Sequence, residues 1–175
     1  MKRIFKQLFF SVLCVLAFAT VSSCDKVTAS ANMQKVAGAA PAGYVDLGLP
    51  SGTMWKAKNE KGYFTYTEAV EKFSGSLPSE EQIKELLDNC KKDWTKNGLK
   101  LTGPNGKSIV LPASGYRYCS STSEALDKVG SIGYYWTSKS IGSEFAIRLE
   151  VSRSYFEIRS GVQCLRLPVR LVKAQ

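Results

Sequence analysis

The sequence contains no histidine, which narrows the chemistry that its 175 residues could perform. Without an imidazole there can be no Ser-His-Asp or Cys-His catalysis, no histidine-ligated zinc and no histidine pH switch. An enzyme built on this chain would have to use carboxylates, lysine, tyrosine or cysteine. The cysteines, tyrosines and glutamates are therefore the residues whose positions decide what chemistry is open to the chain.

Cys24 is the cysteine with the most informative surroundings. It follows Val21-Ser22-Ser23 at the end of the apolar run LFFSVLCVLAFA, residues 8–19, and basic residues without any acid precede that run. This order of charge and apolar residues is typical of an export signal. The run is too short to cross a bilayer, which requires roughly 20 apolar residues in a helix. The Val-Ser-Ser-Cys ending resembles the lipobox of bacterial lipoproteins, whose cysteine forms a thioether to diacylglycerol.

The resemblance to a lipobox implies that residues 1–23 are a signal peptide and that Cys24 is acylated, palmitate included. We therefore expect a lipid-anchored protein of the cell envelope, at the outer membrane and facing the periplasm or the surface. The alternative is a plain secretory signal with an accidental cysteine. Removal of the signal leaves 21 basic against 15 acidic residues, a formal charge of +6. These charges are scattered on an exported chain, so no nucleic-acid partner is expected.

Three cysteines remain after Cys24, an odd number for an oxidising compartment. At most one disulfide can form among Cys90, Cys119 and Cys164, and three pairings are open. Cys90 lies at an apolar position of a predicted helix, so we expect a buried free thiol there. That expectation favours a disulfide between Cys119 and Cys164, without excluding the other two pairings.

Aromatic side chains offer a second kind of chemistry, a binding platform for a sugar ring or a protein partner, because they combine a large flat area with a polar edge. Tyr116 and Tyr118, which follow the segment Pro112-Ala113-Ser114-Gly115, are the candidate ligand contacts. Other aromatic residues are more often part of a core or a sheet. They are Trp55, Trp94, Trp136, Tyr134 and Tyr135.

Glu144, Glu150 and Glu157 lie on predicted strands, and their spacing does not bring them together. A glycosidase needs two carboxyl groups about 5–9.5 Å apart. We therefore assign no catalytic residue, no cofactor-binding residue and no metal ligand, and expect a protein that is not an enzyme. Five arginines could form a basic face toward an anionic glycan, although a solvated sheet face is the commoner arrangement. They are Arg148, Arg153, Arg159, Arg166 and Arg170.

Two helices are predicted in the first half of the domain. The apolar residues of segment 79–90 recur at helical spacing, and Ser79 with Gln82 forms a capping box, so this segment is predicted to be a helix. A shorter helix is predicted over 67–73, with Gly75 just beyond its end. Both helices precede the predicted strands that follow Trp94.

The second half is predicted to be β-structure. Asn-Gly between the short apolar runs 99–102 and 108–111 is typical of a hairpin. Further strands are predicted at 133–138, 145–151, 155–158 and 164–172. The order of two short helices followed by a twisted antiparallel sheet indicates an α+β domain.

The chain divides into three parts by composition. Residues 1–23 are the predicted signal peptide, and residues 24–43 are the acylated cysteine with a tether rich in alanine, glycine and serine, which has too little apolar area to fold. Residues 44–175 have the length of one domain with one core.

Motifs along the domain also carry a family resemblance. In chain order they are YVDLGLPSGTMWKAKN (44–59), GYF (62–64), LPSEEQIKELLDNC (77–90) with Trp94, TGPNGKSIVLPASGYR (102–117), GYYWTS (133–138) and the 161–166 ending. Together they resemble the Fibrobacter succinogenes major paralogous domain, which is widespread in lipoproteins of Bacteroidota and Fibrobacterota. That family is similar to the C-type-lectin-like fold, so the resemblance implies this fold.

Departures from the lectin pattern bear on function. The chain lacks the Glu-Pro-Asn or Gln-Pro-Asp loop of calcium-dependent lectins, and Trp136 is followed by Thr137-Ser138 rather than Asn-Asp, so calcium-mediated sugar binding is not expected. Cys119 and Cys164 do not match the active-site cysteines of the related formylglycine-generating enzymes. We expect a non-catalytic domain that binds a glycan or an envelope protein. The alternatives are a polysaccharide-acting enzyme that uses carboxylates and a structural subunit of a surface assembly.

Overall fold

Strand pairing builds three small antiparallel sheets from the residues that the structure, a computed structural model, describes, which are residues 40–119 and 125–174. These residues belong to one compact unit. The predicted signal peptide, Cys24 and most of the predicted tether lie outside the described residues. In chain order the elements are β1 (Tyr44–Asp46), β2 (Met54–Lys56), α1 (Tyr66–Lys72), α2 (Glu80–Asn89), β3 (Lys91–Thr95), β4 (Gly98–Thr102), β5 (Ser108–Leu111), β6 (Ile132–Ile141), β7 (Phe145–Ser152), β8 (Phe156–Val162) and β9 (Val172–Lys173).

Both predicted helices are confirmed, and capping boxes set where they begin. Ser79 caps α2, and its backbone N–H donates to the Gln82 side chain at 2.9 Å. Thr65 caps α1 in the same way, so this helix begins one residue before the predicted start. The apolar side of α2 is fully buried at Ile83 and Leu86.

The predicted hairpin is confirmed as β4 and β5, which pair from Leu99 with Leu111 to Thr102 with Ser108. The Asn105 side-chain amide donates to the Asp46 carbonyl at 2.8 Å, which ties the hairpin turn to β1. β3 joins the other edge of β4 and completes the sheet β3-β4-β5.

The sheet β6-β7-β8 is a meander that separates two apolar clusters. One of its faces contributes Tyr135 and Leu149 to the first cluster. Its other face contributes Trp136 and Ala146 to the second. Trp55 and Trp136 are both almost fully buried, so the expectation that these tryptophans belong to the core is confirmed.

The predicted strand over 164–172 is wrong for most of its length. Only Val172 is part of a strand there, because the preceding residues bond to loops: the N–H of Leu167 donates to the Phe64 carbonyl and the N–H of Arg166 to the Arg117 carbonyl. Pro168 has no N–H to offer a neighbouring strand.

The predicted order of elements also needs correction, although the α+β class stands. β1 and β2 precede the helices and pair with each other, and β2 also pairs with β9 to complete the sheet β1-β2-β9. A sheet that joins both ends of the domain leaves no local signal in the sequence. No helix among the described residues is long and apolar enough to cross a membrane.

Arg170 is a charged residue in the core, with 1% of its surface exposed. Its guanidinium donates to Asn59 Oδ1 at 2.8 Å, to the Lys56 carbonyl at 2.7 Å and to the Val110 carbonyl at 2.5 Å. Burial lowers the pKa of Arg170 to about 10. One side chain thereby fastens the C-terminal segment to β2, β5 and the loop that follows β2.

Candidate functional site

The structure pairs Cys119 with Cys164 in a disulfide, with their Cα atoms 4.9 Å apart. Cys90, at the end of α2, is a buried free cysteine, as expected. Burial raises the pKa of the Cys90 thiol, which disfavours the reactive thiolate. Of the cysteines in the described residues, one is thus a buried thiol and two form a disulfide. The disulfide connects the C-terminal segment to the residue that follows Tyr118.

Three tyrosines form a tyrosine cluster, Tyr116, Tyr118 and Tyr134. The Tyr116 ring lies edge-on to both of the others, with centroid separations of 5.0 Å to Tyr118 and 5.2 Å to Tyr134. Tyr134 is supplied by β6, whereas Tyr116 and Tyr118 come from the segment before the disulfide. Both candidate ligand contacts from the sequence thus belong to one aromatic group.

Asp127 orients the tyrosine cluster. Its Oδ2 accepts a hydrogen bond from the Tyr116 hydroxyl at 2.9 Å and another from the Tyr118 hydroxyl at 3.3 Å. Tyr116 and Asp127 also exchange two backbone hydrogen bonds, at 3.1 and 2.9 Å. The hydrogen bond from Tyr116 is the largest cause that lowers the pKa of Asp127, and the carboxylate stays ionised. Burial raises the pKa of Tyr116, which keeps its hydroxyl a donor.

Sequence reasoning missed Asp127. It lies 11 residues after Tyr116 in the sequence, and neither a periodic pattern nor a motif links the two positions. An aspartate in a polar loop is normally solvated, so only the backbone pairing with Tyr116 reveals its role.

Exposure differs sharply within the tyrosine cluster. Tyr134 is 7% exposed and Tyr116 is half-buried, while Tyr118 is 54% exposed. The Tyr134 ring packs against Tyr116, and the Tyr116 ring packs against the exposed Tyr118. A ligand that binds to this surface would contact the Tyr118 ring first. Tyr116 and Asp127 hold that ring in place.

An ion pair lies beside Tyr134. The Arg148 guanidinium is 5.0 Å from the centre of the Tyr134 ring, and its Nη2 is 2.6 Å from Glu150 Oε1. Gly161 faces this guanidinium on β8, and a Cβ at that position would collide with it. The glycine therefore makes room for Arg148, which is held between the aromatic ring and the carboxylate.

The glutamates are arranged differently from the prediction. Glu150 and Glu157 stand opposite each other on β7 and β8, while Glu144 lies in the turn before β7 rather than on a strand. The register between β7 and β8 brings Glu150 and Glu157 together, and their spacing along the chain could not reveal this. Each of them accepts hydrogen bonds from an arginine on its own strand, Glu150 from Arg148 and Glu157 from Arg159.

The five arginines do not form one basic face. Arg170 is buried, Arg148 and Arg159 are paired with glutamates, and Arg166 lies 3.4 Å from Glu68. Arg153 is exposed in the turn between β7 and β8. Within the described residues, no group of three or more acidic or cysteine side chains could hold a metal ion.

A cavity of about 470 Å³ contains two other carboxylates, Glu68 and Glu71, together with Lys72 and Arg166. The Glu68 carboxylate is already engaged, because its Oε2 accepts the Thr65 N–H in the capping box at 2.9 Å. One of the two carboxylates that line this cavity is therefore committed to helix capping.

Comparison with known protein families identifies a match. A family model described as a domain of unknown function, DUF8237, matches residues 79–172, from the cap of α2 to the start of β9. No curated protein and no solved structure matches the chain. The matched segment covers more than half of the chain and includes the tyrosine cluster, Asp127 and the ion pair.

Proposed function

The chain belongs to the DUF8237 family, and from that premise we propose that it is a lipid-anchored envelope protein whose domain binds a glycan or a protein partner without catalysing a reaction. The proposal joins the lipobox-like ending at Cys24 to the tyrosine cluster of the folded domain. It assigns no catalytic residue, cofactor or metal.

The exposed Tyr118 ring on a pre-organised support is the observation that carries this proposal. Binding usually costs the entropy of ordering contact side chains, about 0.5–1.5 kcal/mol for each flexible one. Here the Tyr118 hydroxyl is already bonded to Asp127, and its ring packs on Tyr116. A partner gains a large aromatic contact area at little further ordering cost.

The state of the glutamates supports a role without catalysis. A retaining or inverting glycosidase needs one carboxyl group that is protonated at working pH and one that is not. Glu150 and Glu157 are each hydrogen-bonded to an arginine of the same strand, so both carboxylates already have a partner within the protein. Neither is an uncommitted carboxyl group of the kind that a general acid requires.

We also propose the C-type-lectin-like fold and kinship with the Fibrobacter succinogenes major paralogous domain. Two capped helices, α1 and α2, precede the long strand β6 that carries the buried Trp136, which is the order that the resemblance implies. Calcium-mediated sugar binding is not part of this proposal, since the calcium motifs of lectins are missing from the sequence.

A structural subunit of a surface assembly has less support. Such a subunit would present an apolar patch of several hundred Å². Ile141, Phe145 and Val162 form a cross-strand row of exposed apolar side chains in the described part of the sheet β6-β7-β8. The row is limited to one end of the sheet, and each of its three side chains is less than half exposed.

Replacing Cys24 tests the anchor. In cells fed a labelled fatty acid, the wild-type chain is expected to incorporate label and to fractionate with membranes, because only the thiol can form the thioether. Cys24→Ala is expected to lose the label and become soluble, while Cys14→Ala keeps both properties. Continued labelling of Cys24→Ala would refute the lipidation proposal.

The binding role is tested by retention on immobilised polysaccharides and on separated envelope proteins. The soluble chain from Asp25 to Gln175 is expected to be retained by at least one of these materials. Tyr118→Ala is expected to be retained less, with an unchanged circular dichroism spectrum. If wild type is retained by none of them, the proposed binding role is wrong.

A further inference from the structure

A cleft at one end of the sheet β6-β7-β8 is separate from the tyrosine cluster in its lining residues. It measures about 490 Å³ and is lined by Trp94, Gly130, Ser131, Ile132, Ser152, Arg153, Ser154 and Tyr155. We propose that this cleft binds an acidic sugar unit, a pyranose that carries a carboxylate. The inference rests on the proposed binding role, and it adds a site and a ligand class to it.

The walls of the cleft come from three separate parts of the fold. Trp94 is on β3, Ser131 precedes β6, and Arg153 and Tyr155 belong to the turn between β7 and β8. Trp94 and Tyr155 are both half-buried, so each presents part of its ring to the cleft. The volume lies within the range of about 300–1,000 Å³ that is usual for small-molecule sites.

Four polar groups that line the cleft have no hydrogen-bond partner in the described part of the chain. Among the described residues, hydrogen-bond partners are missing for Trp94 Nε1, the Ser131 hydroxyl, the Tyr155 hydroxyl and the Arg153 guanidinium. By contrast, the hydroxyls of Tyr116 and Tyr118 are bonded to Asp127. Sugars offer many hydroxyls and apolar ring faces, which match uncommitted donors beside aromatic rings.

The turn that carries Arg153 and Tyr155 is rigid on the side of the cleft. Ser152 Oγ accepts the backbone N–H of Ser154 at 3.2 Å and that of Tyr155 at 3.1 Å. The Ser152 N–H donates to the Tyr155 carbonyl at 2.9 Å. These bonds close the turn and fix the backbone from which Arg153 and Tyr155 project.

Charge favours an acidic sugar over a neutral one. The residues that line the cleft include no aspartate or glutamate, and Arg153 is the charged side chain among them. The nearby Arg159 guanidinium lies 5.8 Å from the centre of the Tyr155 ring, but it is paired with Glu157. Arg153 is thus the cation available to a carboxylate, which it can bind through two parallel N–H donors.

The test is a titration of the full chain, purified in detergent, with trigalacturonate and with its neutral counterpart galactotriose. Wild type is expected to bind trigalacturonate more tightly than galactotriose. Arg153→Gln is expected to weaken trigalacturonate binding about fivefold, the effect of one exposed ion pair, and to leave galactotriose binding unchanged. If Arg153→Gln no longer prefers trigalacturonate to galactotriose, the preference of the wild type is due to Arg153.

Two further variants separate the cleft from the tyrosine cluster. Ser131→Trp fills the cleft from its rim and is expected to abolish binding without altering the Trp94 packing against the core. Tyr118→Ala is expected to leave trigalacturonate binding unchanged. Binding that depends on Tyr118 but not on Ser131 would overturn the cleft and leave the proposed function standing. Absence of trigalacturonate binding, or equal binding of both sugars, would overturn the inference.

Discussion

Replacing Arg170 by methionine is expected to lower the free energy of unfolding by about 3–5 kcal/mol, because three acceptors around a buried guanidinium lose their donor at once. These acceptors are Asn59 Oδ1 and the carbonyls of Lys56 and Val110. Methionine fills much of the same volume but cannot donate. The measurement is urea unfolding followed by tryptophan fluorescence.

Arg159→Met is the matched control, since it removes the same side chain from an exposed ion pair with Glu157. Exposed pairs contribute at most about 1 kcal/mol, so this variant should unfold close to wild type. Arg170→Lys is expected to fall between the two, because an ammonium cannot reach three acceptors in the fork geometry. Equal stability of Arg170→Met and Arg159→Met would show that Arg170 does not hold the three segments together.

Gly115→Ala is expected to cost about 3 kcal/mol or more and to disorganise the tyrosine cluster. Gly115 has a φ of +65°, and a Cβ there would collide with the Asp127 carbonyl and lie 2.9 Å from the Val129 N. Since Asp127 pairs with the next residue, Tyr116, the collision acts on the contact that orients the cluster. Unfolding in urea measures the first effect, and near-ultraviolet circular dichroism of the tyrosines measures the second.

Gly142 offers the control for backbone strain alone. It has the same φ of +65°, but a Cβ there would have no heavy atom within 4 Å. Gly142→Ala should therefore cost about 1–2 kcal/mol, the price of a left-handed conformation, and leave the tyrosine signal intact. If Gly115→Ala and Gly142→Ala lower the free energy of unfolding equally, the close approach of Gly115 to Asp127 does not contribute to the cost.

Local signals in the sequence predicted much of the secondary structure. The capping box of Ser79 and Gln82 and the Asn-Gly turn each act within a few residues, and the structure confirms the helix and the hairpin that they predict. The buried position of Cys90 followed from its place on the apolar side of that helix. Each of these features depends on residues that are close to one another in the sequence.

Features that depend on distant segments could not be predicted. Segment 164–172 has the alternation of a strand, but its N–H groups bond to loops around Phe64 and Arg117. Glu150 and Glu157 meet only through cross-strand register. Asp127 is linked to Tyr116 by backbone pairing between residues that lie 11 positions apart in the sequence. In each case tertiary contacts decide the arrangement, and periodicity along the chain does not contain them.

The most direct test of the binding role is the affinity of the chain for a material that retains it, measured for wild type, Tyr118→Phe and Tyr118→Ala. Tyr118→Phe keeps the ring on Tyr116 and loses the hydrogen bond from its hydroxyl to Asp127, so a small effect is expected. Tyr118→Ala removes the exposed platform and should weaken binding by about tenfold. Unchanged affinity of a folded Tyr118→Ala variant would contradict the role assigned to the tyrosine cluster.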